Sequence, residues 1–166
     1  MKRGTIMNEL NLVKAEAMAK DLVWKACKAC GFEYNDNIEI RVLWNEDHIG
    51  DPDGMVSYYN DHDSFTLTVY MGPNTTSYEL SKTVLHEMAH IICSPYRVLY
   101  ELYNGDPKTG RIDPETEGYR QHSRASEITA RRVANLLKQV IVVPKPVVIC
   151  EVDKHGNPIH PTSTKR

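Results

Sequence analysis

The sequence predicts an α+β fold, with a short twisted sheet of about three strands packed against two helices that carry the chemistry. Three observations point there. Between residues 38 and 71, apolar side chains alternate with polar ones, the period of a strand. On either side of that region, apolar residues recur every three or four positions, the period of an amphipathic helix. The length of 166 residues, 41% hydrophobic and 25% charged, suits one folded domain over 1–166. Within it, 145–166 is expected to form a short C-terminal strand and tail.

Taken in order, the first element is a helix. From Asn11 to Gly31, the residues Leu12, Ala15, Ala19, Leu22, Val23, Ala26 and Cys30 form one stripe, and Gly31 stands where a helix C-cap belongs. Cys27-Lys28-Ala29-Cys30 has the spacing of a zinc knuckle, but no second CxxC follows. Inside a helical stripe it reads as two small buried thiols. The four cysteines, at 27, 30, 93 and 150, are too few and scattered for a disulfide scaffold.

Ile38, Ile40, Val42 and Trp44 alternate with Glu39, Arg41 and Leu43, which predicts a strand with one apolar face. Gly50-Asp51-Pro52-Asp53-Gly54 is turn chemistry, followed by a short strand around Met55–Tyr59. Asn60-Asp61-His62-Asp63 forms the next turn. The Asp-rich turns lack the spacing and terminal Glu of an EF-hand and read as turn formers. Phe65, Leu67, Val69 and Met71 then alternate with Thr66, Thr68 and Tyr70, the clearest strand in the chain. This strand is a candidate sheet edge for holding an extended peptide; an interior strand paired on both sides fits the same pattern.

After Asn74 the period becomes helical. Thr76-Ser77-Tyr78-Glu79 has the form of a capping box, and Pro95 disfavours helix at Ser94, so a helix is expected from Thr76 to about Cys93. It contains His86-Glu87-Met88-Ala89-His90. Residues four apart lie one turn apart on the same helix face, so His86 and His90 can meet one metal ion. Glu87 is offset, placed to act on a water at the metal without ligating it, as a general base. Neutral imidazoles favour zinc, one ion per chain, with manganese, cobalt or iron also compatible.

A third protein ligand is required. Asn104–His122 holds Gly105, Pro107, Gly110, Pro114 and Gly118 and reads as a long loop. A helix is expected from Ser123, with Glu127, Ala130, Ala134, Leu137 and Ile141 on one stripe. Glu127 is the only acidic residue between Ser123 and Cys150, and an acid on a buried stripe is costly unless paired or metal-bound. Glu127 is therefore the expected third ligand. A first-turn acid paired with Arg124 or Arg131 is the plainer reading, and His122, at the end of the loop, is the rival ligand. Ala130 and Ala134 would let a partner helix approach closely. Tyr119, His122 and Arg124 are unranked candidates for stabilising an oxyanion. The segment Val147–Asp153 predicts a further strand, and His155 and His160 beyond it read as solvated residues.

The segments Thr83–Ile92, with His86-Glu87-Met88-Ala89-His90, and Ser126–Leu137, with Glu127, Ala130, Val133 and Ala134, resemble a compact gluzincin-type zinc metallopeptidase. The nearest likeness is to the ImmA/IrrE-like family, whose pattern is HExxH followed by a helix with ExxAxxFAxxLL. The resemblance covers about 60 residues, Tyr78 to Leu137, with Val133 at the Phe position. It implies a zincin-like α+β domain. It also implies zinc held by His86, His90 and Glu127, Glu87 as catalytic base, and hydrolysis of peptide bonds in a protein substrate by Glu87-assisted attack of water held at the zinc. A DNA-associated SprT-like protease also uses HExxH, but it would bring a third His soon after the motif and a Cys-rich ribbon, which this sequence lacks. A non-catalytic zincin scaffold would not need Glu87 beside its ligands.

Charge and hydropathy bear on partners. With 20 Lys+Arg against 22 Asp+Glu, the net charge of −2 advertises no polyanion-binding surface, so a peptide or protein partner is expected and nucleic acid is disfavoured. No apolar run approaches the roughly 20 residues of a spanning helix. Met1-Lys2-Arg3 is followed by Asn8, Glu9, Asn11 and Lys14 rather than a signal h-region, so a cytoplasmic protein is expected.

Overall fold

The computed structural model describes residues 3–31, 37–59, 64–93, 117–143 and 145–149, with side chains described from Asn11 in the first helix and from Ser126 in the last. The architecture is α+β, with three helices and one three-stranded mixed sheet among the described residues.

Helix α1 (Arg3–Cys30) starts eight residues before the stripe read from the sequence. The stripe itself lies where expected, with Ala15, Ala19, Leu22, Val23, Ala26 and Cys27 almost wholly buried. Its three alanines let the helix axis come close to the sheet and to the HExxH helix, while Leu22 and Val23 fill the space between. Gly31 ends the helix at φ 65°, the left-handed conformation that a residue without Cβ adopts at least cost. Cys27 is buried as expected, but Cys30 is exposed: three positions on, the helix has turned its thiol past the edge of the buried face.

The sheet has the order β1-β3-β2, from β1 (Ile38–Trp44), β2 (Asp53–Tyr59) and β3 (Ser64–Met71). β1 runs parallel to β3, from Ile38 opposite Phe65 to Trp44 opposite Met71. β2 runs antiparallel to β3, with Gly54 opposite Val69 and Val56 opposite Leu67. Strand β1 shows the alternation that the sequence predicts: Ile38, Ile40 and Val42 are buried, while Glu39 and Arg41 face out and pair at 2.9 Å.

Strand β3 is the central strand, which settles its placement as interior rather than edge. It is flanked by a strand on each side, and its side chains are buried on both faces. Leu67, Val69 and Met71 are wholly buried, and Thr66 and Thr68, at 8% and 6% exposure, are nearly so. The two threonines share the outward face with Glu39 and Arg41, their partners on β1, and as short side chains on the central strand they are shielded by the longer ones beside them. The edge nearest the HExxH helix is β2, which begins at Asp53, so Gly54 lies in the strand rather than in the turn before it.

Helix α2 (Ser77–Cys93) ends where the sequence places its end. Thr76 caps it, its hydroxyl accepting from the Glu79 backbone N–H at 3.1 Å. The reciprocal half of the capping box is replaced by an ion pair, with the Glu79 carboxylate 3.1 Å from Lys82. The segment 145–149 lies across this helix start. Ser77 N–H donates to the Val147 carbonyl at 2.7 Å, Ile149 N–H donates to Thr75 at 2.8 Å, and the Ser77 hydroxyl donates to Lys145 at 2.6 Å. The first of these bonds occupies a backbone donor that a helix N-terminus otherwise leaves unmet. The expected C-terminal strand is thus one antiparallel bridge, Thr76 with Val148. Its continuation to Asp153, and His155 and His160, lie outside the described residues.

Helix α3 (Glu117–Val140) begins six residues before Ser123, so Gly118 and His122 belong to a helix and not to a loop. A helical glycine costs only about 1 kcal/mol, which the packing of a 24-residue helix easily offsets. Ala130 and Ala134 pack against Ala89 of α2, with Val133 and Cys93 flanking, so the two helices approach closely along a seam of small side chains. No helix among the described residues is long and apolar enough to cross a membrane.

Candidate metal centre

The alanine seam between α2 and α3 fixes the distance across which the candidate ligands meet. His86 and His90 stand one turn apart on α2, with ring centroids 4.8 Å apart. Glu127 lies one turn before Ala130 on α3 and reaches across to both. Its Oε1 is 2.8 Å from His90 Nε2, and its Oε2 is 3.3 Å from His86 Nε2. The two Nε2 atoms are themselves 3.2 Å apart. One ligand atom from each of the three residues lies within 4.8 Å of the others, close enough to hold a single metal ion.

The chemistry of these donors fits such an ion. A carboxylate and two neutral imidazoles present lone pairs, and lone pairs converging on one point repel unless a proton or a cation sits among them. Burial pushes the His86 imidazole below its ordinary pKa, and the nearby His90 adds to this; Glu127 opposes the shift and Arg131 reinforces it. The environment thus favours a neutral His86, the form that ligates a metal.

Glu127 is half-exposed, its side chain retaining 44% of its accessible surface. This corrects the expectation of a buried acid requiring compensation. The stripe of α3 gives the angle at which Glu127 projects but not the depth at which it stops, and here the interface opens into a groove. The Glu127 argument therefore rests on convergence with the histidines. The pairing with Arg131, the plainer reading, is also present but loose, with Nε 3.9 Å from Oε2. His122 sits five residues earlier on the same helix, a step of about 140° around the axis, so one helix face does not carry both. The side chains of Tyr119, His122 and Arg124 lie outside the described residues.

Glu87 stays out of the ligand group. Its side chain turns from the metal face of α2 toward β2, is 8% exposed, and borders the groove. Burial raises its carboxyl pKa to about 7, with the Glu127 charge and then Asp53 adding to the rise. Such an acid is poised to exchange a proton near neutral pH.

What makes room for Glu87 is Gly54. A Cβ at Gly54 would lie 2.5 Å from Glu87 Cγ and 2.7 Å from its Oε1, so any side chain there would force Glu87 out of this position. Nothing local in the sequence signals this contact across 33 positions, because Gly54 reads as part of a turn. The groove, of about 580 Å³, runs past these residues between Asp51–Gly54 on one side and Arg131, Asn135 and Lys138 of α3 on the other.

Comparison with known proteins found no match among family models, curated proteins or solved structures. The fold and the His-His-Glu group are therefore read on their own terms.

Proposed function

We propose that the chain is a zinc-dependent metallopeptidase of the gluzincin type, similar to the ImmA/IrrE-like enzymes, that hydrolyses peptide bonds in a protein substrate. The observation that carries this reading is the convergence of His86, His90 and Glu127 with a buried carboxylate beside them that takes no part in the ligand group. With bonds of about 2.0–2.1 Å, the donors of a tetrahedral zinc lie about 3.3 Å apart. The two imidazole nitrogens here are 3.2 Å apart, and Glu127 meets His90 through Oε1 at 2.8 Å and His86 through Oε2 at 3.3 Å. Three protein donors leave the fourth position to water or substrate, the pattern of a catalytic rather than a structural site.

Zinc bound there would lower the pKa of water to about 7 and polarise the scissile carbonyl. The protein groups supply the rest. The Glu87 carboxylate accepts a proton from the attacking water and delivers it to the leaving amine, and Gly54 holds that carboxylate in place. Glu127 offsets part of the positive charge at the centre while keeping the two imidazoles turned inward. Strand β2 is paired with β3 on one side, and at Asp53 and Gly54 it borders the groove, where an extended peptide could add as a further strand. Main-chain pairing of this kind binds peptides with little dependence on sequence.

The test is Glu87→Gln. This variant should keep zinc near one per chain and keep its fold, yet lose peptide hydrolysis, because the amide cannot take the proton. Equal turnover of peptide libraries by zinc-loaded wild type and variant would remove Glu87 from the reaction. Equal inactivity would favour a non-catalytic metal-binding scaffold.

A further inference from the structure

We propose that the groove selects peptides with an acidic side chain on the α3 side of the metal centre, held by Arg131 and Lys138. The proposal rests on the peptidase reading above and names part of its substrate class.

The charges around the groove are segregated. Asp51 and Asp53 stand on the β2 side, Arg131 and Lys138 on the α3 side. The remaining pair of opposite charges, Glu79 and Lys82, neutralise each other at 3.1 Å, and Lys82 also lies over the Tyr78 ring at 5.1 Å. Of the other two carboxylates in the lining, Glu127 is committed to the histidines and Glu87 is buried against Gly54. Arg131 is left with a contact to Glu127 that is longer than a hydrogen bond, and its side chain is 74% exposed. Lys138 is half-buried in the groove wall and has no ion-pair partner among the described residues. A lysine in a last helical turn is ordinary, since the helix dipole favours it there. A second, underused cation seven residues earlier, on the same face and in the same groove, is not explained in that way.

The spacing suits an extended peptide. At 1.5 Å per residue, Arg131 lies about 6 Å along the axis from Glu127, and Lys138 about 16 Å. A peptide running along α3 and rising about 3.3 Å per residue would pass Arg131 about two residues from the scissile bond and Lys138 about five. Arg131 offers a planar fork to a carboxylate, and Lys138 a mobile point charge.

Binding can test this without hydrolysis. Zinc uptake by the full chain is measured first. Fluorescent peptide hydroxamates, in which the hydroxamate takes the metal, then carry Glu, Gln or Lys two to five residues away. One series extends toward the peptide N-terminus and the other toward the C-terminus, and affinity is read by anisotropy at low and high salt.

In at least one series, the Glu peptide should bind about fivefold to tenfold tighter than its Gln counterpart at low salt, with the gap narrowing at high salt. The double variant R131Q and K138Q should bring the ratio of Glu to Gln peptide affinity within about twofold, each affinity being read on the zinc-loaded variant. Equal binding of Glu and Gln peptides in both series, a preference for Lys, or a Glu preference that survives the double variant would overturn the proposal. Failure to take up zinc would instead bring down the peptidase reading, and this proposal with it.

Discussion

Substituting Gly54 by alanine places one methyl group against the base of the proposed reaction. Its Cβ would sit 2.5 Å from Glu87 Cγ, 2.7 Å from Oε1 and 2.9 Å from Cδ, against an ordinary contact of 3.4–4 Å, so something must retreat by about 1 Å. Gly54 cannot easily do so, because it sits within the β2–β3 ladder opposite Val69. Its φ is not in the left-handed region, so the alanine itself is unstrained, and Glu87 has to move.

Overpacking of this kind costs about 1–3 kcal/mol of stability. A base displaced by about 1 Å costs on the order of 10²-fold in rate, or about 2.7 kcal/mol of barrier. The three atoms nearest the new methyl group all belong to Glu87, which is not one of the proposed ligands, so zinc affinity should stay within a few-fold. The assay is a double-mutant cycle by denaturant unfolding. Gly54→Ala should destabilise wild type but cost little in a Glu87→Ala background, where the collision is gone, giving a coupling of about 1–3 kcal/mol. Zero coupling, or hydrolysis by Gly54→Ala at the wild-type rate, would refute the reasoning.

Further expectations follow from the metal site and the core. His86→Ala, His90→Ala and Glu127→Ala should each weaken zinc binding by orders of magnitude in competition titrations, while His122→Ala should stay within about tenfold; loss of zinc only in the His122 variant would point to a different third ligand. Ala130→Leu should wedge α3 away from Ala89, costing about 1–3 kcal/mol in unfolding experiments and weakening zinc binding although no ligand has changed. Burial pushes the Cys27 thiol up to about 11, above its ordinary value of 9.0, with the nearby Cys30 adding to the rise. The fold therefore favours the protonated thiol, and this contribution is fully present below pH 9 and lost as pH rises toward 11. Wild type should lose stability more steeply over that interval than Cys27→Ala, and parallel curves would contradict the assignment.

Much of this organisation is legible in the sequence because it is periodic. The stripe from Ala15 to Ala26, the alternation from Ile38 to Val42 and the capped helix around His86 each repeat a local rule that the fold then uses. The three candidate ligands follow as well: two share a helix turn, and the third lies next to small residues that must face a partner helix. What escapes the sequence depends on neighbours. Thr66 and Thr68 are buried as short side chains on the central strand, flanked by Glu39 and Arg41 of β1 and by Met55 and Ser57 of β2, and nothing in a run of threonines announces those neighbours. The depth of Glu127 depends on where the groove opens. The fit of Gly54 against Glu87 is created only when β2 and α2 come together.

The central claim is a zinc held by two imidazoles and one carboxylate, with a position left open beside Glu87. X-ray absorption at the zinc edge, on the metal-loaded full chain, tests it most directly. The account predicts four light-atom donors at about 2.0–2.1 Å, two of them imidazoles, with one oxygen exchanged when a hydroxamate is added and one protein donor lost in Glu127→Ala. A sulfur shell near 2.3 Å, or a site closed by four protein ligands that does not change when hydroxamate is added, would contradict it.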